Sequence, residues 1–261
     1  MRYAPVASLA AYDMLWEYDM LGDYHLLIAT EVVKDVDAWH NFWVADQLSL
    51  WNRFVIMDNG LIETGAPTDP QTLKDAADAV NASCIVLPDV LGDYEKTVKA
   101  VKASLLEMLQ IGRPLMGVIQ GRNWNEIDNI AQFYTDIQVD YLSVPRVMTN
   151  IFGTRLSLIH RLRGYNKPIH LLGFSENMWD DMLSAVQPDV MGIDSATPLW
   201  YTDDFPKYPP TQANFGPRPK DYWSMDPATI NYSNIERVHA WLTAAMGVPT
   251  PAGLREPEVT L

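Results

Sequence analysis

Cysteine is almost absent from this sequence: Cys84 is the only one in 261 residues. A single thiol excludes an internal disulfide and any zinc site assembled from several cysteines, and its plain reading is a buried strand residue. Histidine is scarce too, with five in the chain. None closes a candidate strand, since His25 and His170 stand at strand starts, so neither a histidine-rich metal centre nor a cofactor is expected. Long apolar runs are also missing. Cys84–Leu87 and Leu171–Phe174 are strand-sized, far short of the ~20 residues that cross a membrane. The first residues are soon interrupted by Asp13, Glu17, Asp19 and Asp23, which breaks up any apolar region of the secretory type. A cytoplasmic location without membrane association is expected.

Positive charge is the third shortage. Nineteen Lys and Arg face 33 Asp and Glu, a net charge of −14, the reverse of the basic footprint of a nucleic-acid binder. This argues against non-specific polyanion binding. It leaves room for a local basic rim around an acidic pocket, because exposed charges more than a Debye length of ~10 Å apart are largely screened.

What is present fits an ordinary folded domain, with 48% hydrophobic and 20% charged residues. Short β-rich runs recur at His25–Thr30, Phe54–Asn59, Cys84–Val90, Leu115–Gln120, Tyr141–Val147, Ile169–Phe174 and Val190–Ser195. Helix-like stretches separate them, the signature of parallel βα units. The prediction is an α/β fold, a single-domain (β/α)8 barrel of the TIM type spanning 1–261. Asp69-Pro70-Gln71 caps a helix carrying Leu73, Ala76, Ala77 and Val80 at helical spacing. Tyr94–Ile111 repeats the pattern and stops at Gly112. The first 24 residues read as a helix or plug closing one barrel end. Residues 198–227, dense in Pro, Trp and Tyr, read as an ordered aromatic insertion, with an eighth strand expected near Gln212–Phe215. Ser233-Asn234-Ile235-Glu236 has the spacing of a capping box opening a last helix to Met246, and 248–261 reads as a frayed tail.

Strand ends line the mouth of such barrels. Here they carry Asp58-Asn59-Gly60, Asp89, Gln120-Gly121, Arg146, Ser175-Glu176 and Asp194-Ser195. Each has an ordinary explanation as turn or capping chemistry. Three carboxylates in one mouth repel one another, however, and that cost points to a ligand or a reaction. Two readings compete: a divalent-metal site, or a covalent and acid/base pair acting at a sugar carbon.

The run Phe54-Val55-Ile56-Met57-Asp58-Asn59-Gly60 resembles the Asp-Ser-Gly-Gly motif of the tRNA-guanine transglycosylases, the queuine and archaeosine tRNA-ribosyltransferase superfamily. Met116-Gly117-Val118-Ile119-Gln120-Gly121 is similar to their Gly-Ile-Val-Gln-Gly motif. Leu87-Pro88-Asp89 resembles the guanine-reading Asp segment, and Leu171–Glu176 the strand and turn before the nucleophile. Met191–Pro198 falls where that family places its Asp nucleophile. The likeness runs in register from Phe54 to Pro198.

The resemblance implies base exchange through a glycosyl-enzyme intermediate, with Asp194 as nucleophile and Asp58 as the base that deprotonates an incoming 7-deazaguanine. Asp89 and Gln120 would read the base, with Asn59 beside them and Gly121 allowing close backbone approach. The family's cysteine-rich zinc element is missing. Its Gly-Gly-Leu-Ala-Val-Gly-Glu motif is replaced by Tyr141–Arg146, so Arg146 would oppose a cationic 7-substituent and a neutral one, such as a nitrile, is expected. A short, zinc-free barrel is most similar to the often phage-encoded DpdA enzymes that modify DNA, which makes DNA the expected polymer, tRNA the alternative, and the host cytoplasm the compartment. Arg122, Arg161 and Arg163 are candidate phosphate contacts. Trp200 and Tyr201, with Tyr222 and Trp223, are candidates for stacking on an extruded base. The acidic surface leaves room for a helper protein or a homodimer. The rival readings are an inactive binding module and an unrelated barrel enzyme on small phosphorylated molecules, which would place a phosphate cradle after the last two strands.

Overall fold

The computed structural model describes residues 2–18, 20–45, 53–212, 214–216 and 218–247. Its strands are β1 (Arg2–Pro5), β2 (Tyr24–Ile28), β3 (Phe54–Asp58), β4 (Cys84–Val86), β5 (Leu115–Val118), β6 (Tyr141–Pro145), β7 (Ile169–Leu172) and β8 (Val190–Ser195). All neighbours pair in parallel, in the order β1-β8-β7-β6-β5-β4-β3-β2. β1 and β2 lie side by side across the remaining seam, where no ladder joins them. The result is the expected (β/α)8 barrel, nearly closed.

Two positions of the chain's path differ from expectation. The eighth strand is not near Gln212–Phe215 but at the N-terminus, where β1 pairs with β8 through Ala4↔Asp194 and its neighbours. Four residues are too few for strand alternation to stand out in a sequence. The helix Leu9–Glu17 follows it, with Tyr12 and Leu15 fully buried on the outer layer, so this segment is part of the barrel wall rather than a plug. The strand starts themselves contribute an aromatic group: Tyr24 stacks on Phe54 (5.7 Å), and Phe54 meets Tyr141 edge-on (5.3 Å).

Side chains alternate across each strand with period two. Tyr24, Leu26, Ile28, Ile56, Cys84, Val86, Met116 and Val118 form one buried cluster inside the barrel. Leu27, Val55, Met57, Ile85, Leu142, Leu171 and Ile193 belong to the other, under the helices. Each such fully buried aliphatic side chain contributes about 1.5–3 kcal/mol. The helix expected after Asp69 starts there, Asp69 accepting from the Thr72 N–H (3.0 Å) ahead of Pro70–Ala79, and the structure adds a cap at Asn123, which accepts from the Glu126 N–H (3.0 Å) ahead of Trp124–Asp136. The last helix is Ser233–Met246, but the capping box does not form, since Ser233 is inside the helix and its hydroxyl faces Asp204 and Asn231 instead. Within the 198–227 segment, Phe205 is buried and stacks on Trp241 of that helix (5.1 Å). The expected frayed tail, 248–261, lies outside the described residues. No described helix is long and apolar enough to cross a membrane.

Candidate active site

Six strands end earlier than the runs read from the sequence, by one residue in β3, which stops at Asp58, and by two or more in β2 at Ile28, β4 at Val86, β5 at Val118, β6 at Pro145 and β7 at Leu172. The chain then turns outward, so the polar residues that follow sit on loops around the mouth rather than in the sheet. They surround a cavity of about 840 Å³. Leu26, Ile28, Val86, Val118 and Leu172 supply apolar walls, and Asp58, Asn59, Asp89 and Asp194 are among its acid and amide groups.

Asp194 comes from β8 and is nearly buried, at 7% exposure. Its Oδ1 lies 2.9 Å from His170 Nε2 and accepts from the Gly173 backbone N–H (3.1 Å). Oδ2 has no hydrogen bond among the described residues and is free for a ligand. His170, the second residue of β7, is fully buried beneath the cavity and is a residue that the sequence reading missed, as are Glu63 and Arg218 of the lining. The position of His170 inside an apolar run hid it; the inward parity it shares with Leu172 was the available signal.

Asp58 ends β3 and accepts from the Gly60 N–H (2.8 Å). Gly60 has φ +70°, and a Cβ there would lie 3.3 Å from both Thr30 Oγ1 and Thr68 Oγ1, so the turn that aims Asp58 requires glycine. Burial pushes the Asp58 carboxyl well above the ordinary range, with the charge of Glu63 next in effect and those of Asp89 and Asp194 adding to it. Glu63 itself pairs with Arg218 (2.9 Å), and both line the cavity.

Asp89 is held by two amides: Asn59 Nδ2 donates to one oxygen (3.1 Å) and Gln120 Nε2 to the other (2.6 Å). Burial raises its pKa, opposed by those two donors. Asn59 also donates to the Leu87 carbonyl and accepts from the Leu61 N–H, while Gln120 accepts from the Gly92 N–H. Gln120 is fully buried and does not line the cavity. It orients Asp89 from behind. Gly121 is also behind the wall, where a Cβ would lie 3.0 Å from Glu126 Cβ, so its smallness admits the helix Trp124–Asp136.

The expected cationic contacts divide. Arg146 is exposed and lines the cavity, with no ion pair among the described residues. Arg122 lies outside the lining; its Nε donates to the Gly92 carbonyl (2.9 Å) and Asp93 is nearby (3.9 Å). Arg161 and Arg163 lie outside the cavity lining. Arg161 is bound in a fork to Asp128, and Arg163 to Asp189, the residue just before β8, at the end of the barrel opposite the mouth. The first pair joins two helices, and the second joins the turn at Arg163–Tyr165 to the loop before β8. Of the aromatic candidates, Trp200 lines the cavity beside Phe215, whereas Tyr201 packs edge-on against Phe215 behind it (4.7 Å). Tyr222 is buried and its hydroxyl donates to the Val6 carbonyl; Trp223 packs against it.

No family model and no curated protein matches the chain. Among the described residues, no group of three or more His, Cys, Asp or Glu is arranged to hold a metal ion. The arrangement brings together a carboxyl group with one oxygen held and one free, a second whose pKa burial raises, and a third held by two side-chain amides.

Proposed function

We propose that the protein exchanges a guanine base in a nucleic acid, DNA in the first instance, for a 7-deazaguanine. The observation that carries the reading is the contrast between two carboxyls opening into one cavity, Asp194 gripped through Oδ1 by two donors and Asp58 pushed toward its protonated form by burial and Glu63. In the reaction, Asp194 Oδ2 attacks the anomeric carbon, the bond from that carbon to the purine nitrogen breaks, and Asp58 gives its proton to the departing guanine. The incoming base then returns a proton from its ring N–H to Asp58, and the freed nitrogen displaces Asp194. Both carboxyls end as they began, and two displacements retain configuration.

The cavity volume suits a base with its sugar. Asp89, fixed by Asn59 and Gln120, offers the remaining lone pairs of its carboxylate to purine N–H groups. Trp200 at the wall supports stacking on an extruded nucleotide, and Arg146 supports contact with a phosphate. An unpaired guanidinium in the cavity also favours a neutral 7-substituent over a cationic one, although Glu176 lines the same cavity.

Incorporation of labelled guanine and of 7-cyano-7-deazaguanine into duplex DNA and into tRNA, side by side, tests the reading. Label entering DNA and lost in Asp194→Ala is the expected result. Entry into tRNA alone would replace the polymer and keep the chemistry, and entry into neither would reject the exchange reaction.

A further inference from the structure

We infer that Tyr24 and His170 are positioning residues that set the proton arrangement at Asp194, holding His170 as a neutral imidazole that presents Nε2–H to Oδ1. The inference rests on the reading of Asp194 as the nucleophile, and it names the groups that prepare it.

The chain of contacts runs through the barrel interior. Tyr24 Oη lies 2.7 Å from His170 Nδ1, and His170 Nε2 lies 2.9 Å from Asp194 Oδ1. Tyr24 and His170 are buried, at 1% and 0% exposure. A ring nitrogen in a neutral imidazole either donates or accepts, so the partner of one nitrogen decides the role of the other. Burial keeps the Tyr24 hydroxyl protonated, because it raises its pKa well above the ordinary value. A hydroxyl can donate or accept, whereas a carboxylate oxygen only accepts, so in a neutral ring Nε2 carries the proton toward Asp194 and the Tyr24 hydroxyl donates to the Nδ1 lone pair. The opposite tautomer would set the Nε2 lone pair against Oδ1, and an imidazolium would neutralise the nucleophile that the exchange needs.

β8 is built to admit this arrangement. Gly192 stands opposite His170 in the β7–β8 ladder, and a Cβ on it would lie 2.4 Å from Tyr24 Cε1 and 2.8 Å from the Arg2 carbonyl oxygen. Any side chain at 192 would displace the tyrosine ring from beneath the histidine. The other groups acting on Asp194 or Tyr24 are Tyr3, Tyr12, Cys84 and Tyr141, all raised above their ordinary values, and the Arg2 guanidinium, which acts to lower the Tyr24 value. Asp58 is the remaining neighbour that exchanges a proton.

The consequence for the reaction is a division of labour between two oxygens. Oδ1 is immobilised by His170 and Gly173, so Oδ2 carries the attack along a single direction.

Long-range proton–nitrogen NMR on the full chain with labelled histidine reads the tautomer without any substrate. The expected result is a His170 signal of the neutral Nε2–H form near neutral pH, lost or mixed with the other form in Tyr24→Phe. A His170 imidazolium in the native chain, the Nδ1–H form, or a pattern unchanged in Tyr24→Phe would overturn the inference. Single-turnover formation of the glycosyl intermediate gives the second readout. His170→Gln, whose amide can donate from a position near Nε2, should retain most of the rate, whereas His170→Phe should lose roughly 100-fold, with base affinity unchanged. Equal rates in His170→Phe and the native chain would also overturn it. A native chain that shows the Nε2–H tautomer but no exchange would reject the transglycosylase reading while leaving the proton arrangement standing.

Discussion

Arg155 and Asp181 form an ion pair in which neither side chain reaches solvent, the guanidinium Nε and Nη2 both donating to Asp181 Oδ1. Asp181 uses both oxygens again to hold Ser175, through its N–H (2.6 Å) and its hydroxyl (2.9 Å). Ser175 lines the cavity, so the pair fixes one side of the site from inside the helix layer.

Removing one partner would leave a buried charge uncompensated. Arg155→Met is therefore expected to destabilise the fold by about 3–5 kcal/mol in urea unfolding, and the double change Arg155→Met with Asp181→Leu to recover much of that loss. A single variant as stable as the native chain would show that Asp181 is solvated or neutral in the folded state. Because the double variant still lacks the anchor for Ser175, its exchange activity is expected to remain low.

Asp58 links the reaction to pH. Its folded-state pKa is raised by burial first and Glu63 second, so the folded chain binds a proton that the unfolded chain releases, and stability falls as pH rises above the ordinary aspartate range. Asp58→Asn is expected to remove this slope, giving a chain that is at least as stable as the native one in mild alkali but inactive in exchange. Glu63→Gln removes one of the charges that hold the proton on Asp58, which should move the alkaline limit of the exchange rate to lower pH. A pH profile identical in Glu63→Gln and the native chain would show that Glu63 does not act on Asp58.

His25 sets an acid limit of its own. It is fully buried behind β2, edge-on to Trp43 (4.7 Å) and Tyr12 (5.9 Å), and burial, with Arg53 next in effect, lowers its pKa from 6.5 to about 3. The unfolded chain takes up a proton below pH 6.5 that the folded chain refuses, so stability should fall as the pH drops from 6.5 toward 3, by about 1.4 kcal/mol per unit from this residue. Urea unfolding across that window should show the slope, and His25→Leu should flatten it. An unchanged slope in the variant would assign the acid sensitivity to other groups.

Hydrophobic alternation and helix punctuation were enough to read seven of the strands, because side-chain parity and capping are local properties: Asp69 and Gly112 mark helix ends through their own hydrogen bonds and backbone angles. They were also enough to place Asp58, Asp89, Asn59 and Asp194 at one mouth, since every strand of a parallel barrel points the same way. Arg161 and Arg163 show the limit. A cluster of arginines has the same sequence whether it faces a phosphate or the carboxylates of Asp128 and Asp189, which lie 33 and 26 positions away along the chain.

What the sequence alone determined is the alternating βα order, and with it the common direction of the strands and the set of polar residues at their ends, all consequences of local pattern and chain connectivity. Only the tertiary structure decided the rest. It recruited Arg2–Pro5 as the strand beside β8, placed Gln120 and Gly121 behind the wall, and brought Tyr24, His170 and Asp194 together from strands 146 and 24 residues apart. Those contacts depend on barrel closure, on strand register and on the room left by Gly192, and none of these is a property of any local segment.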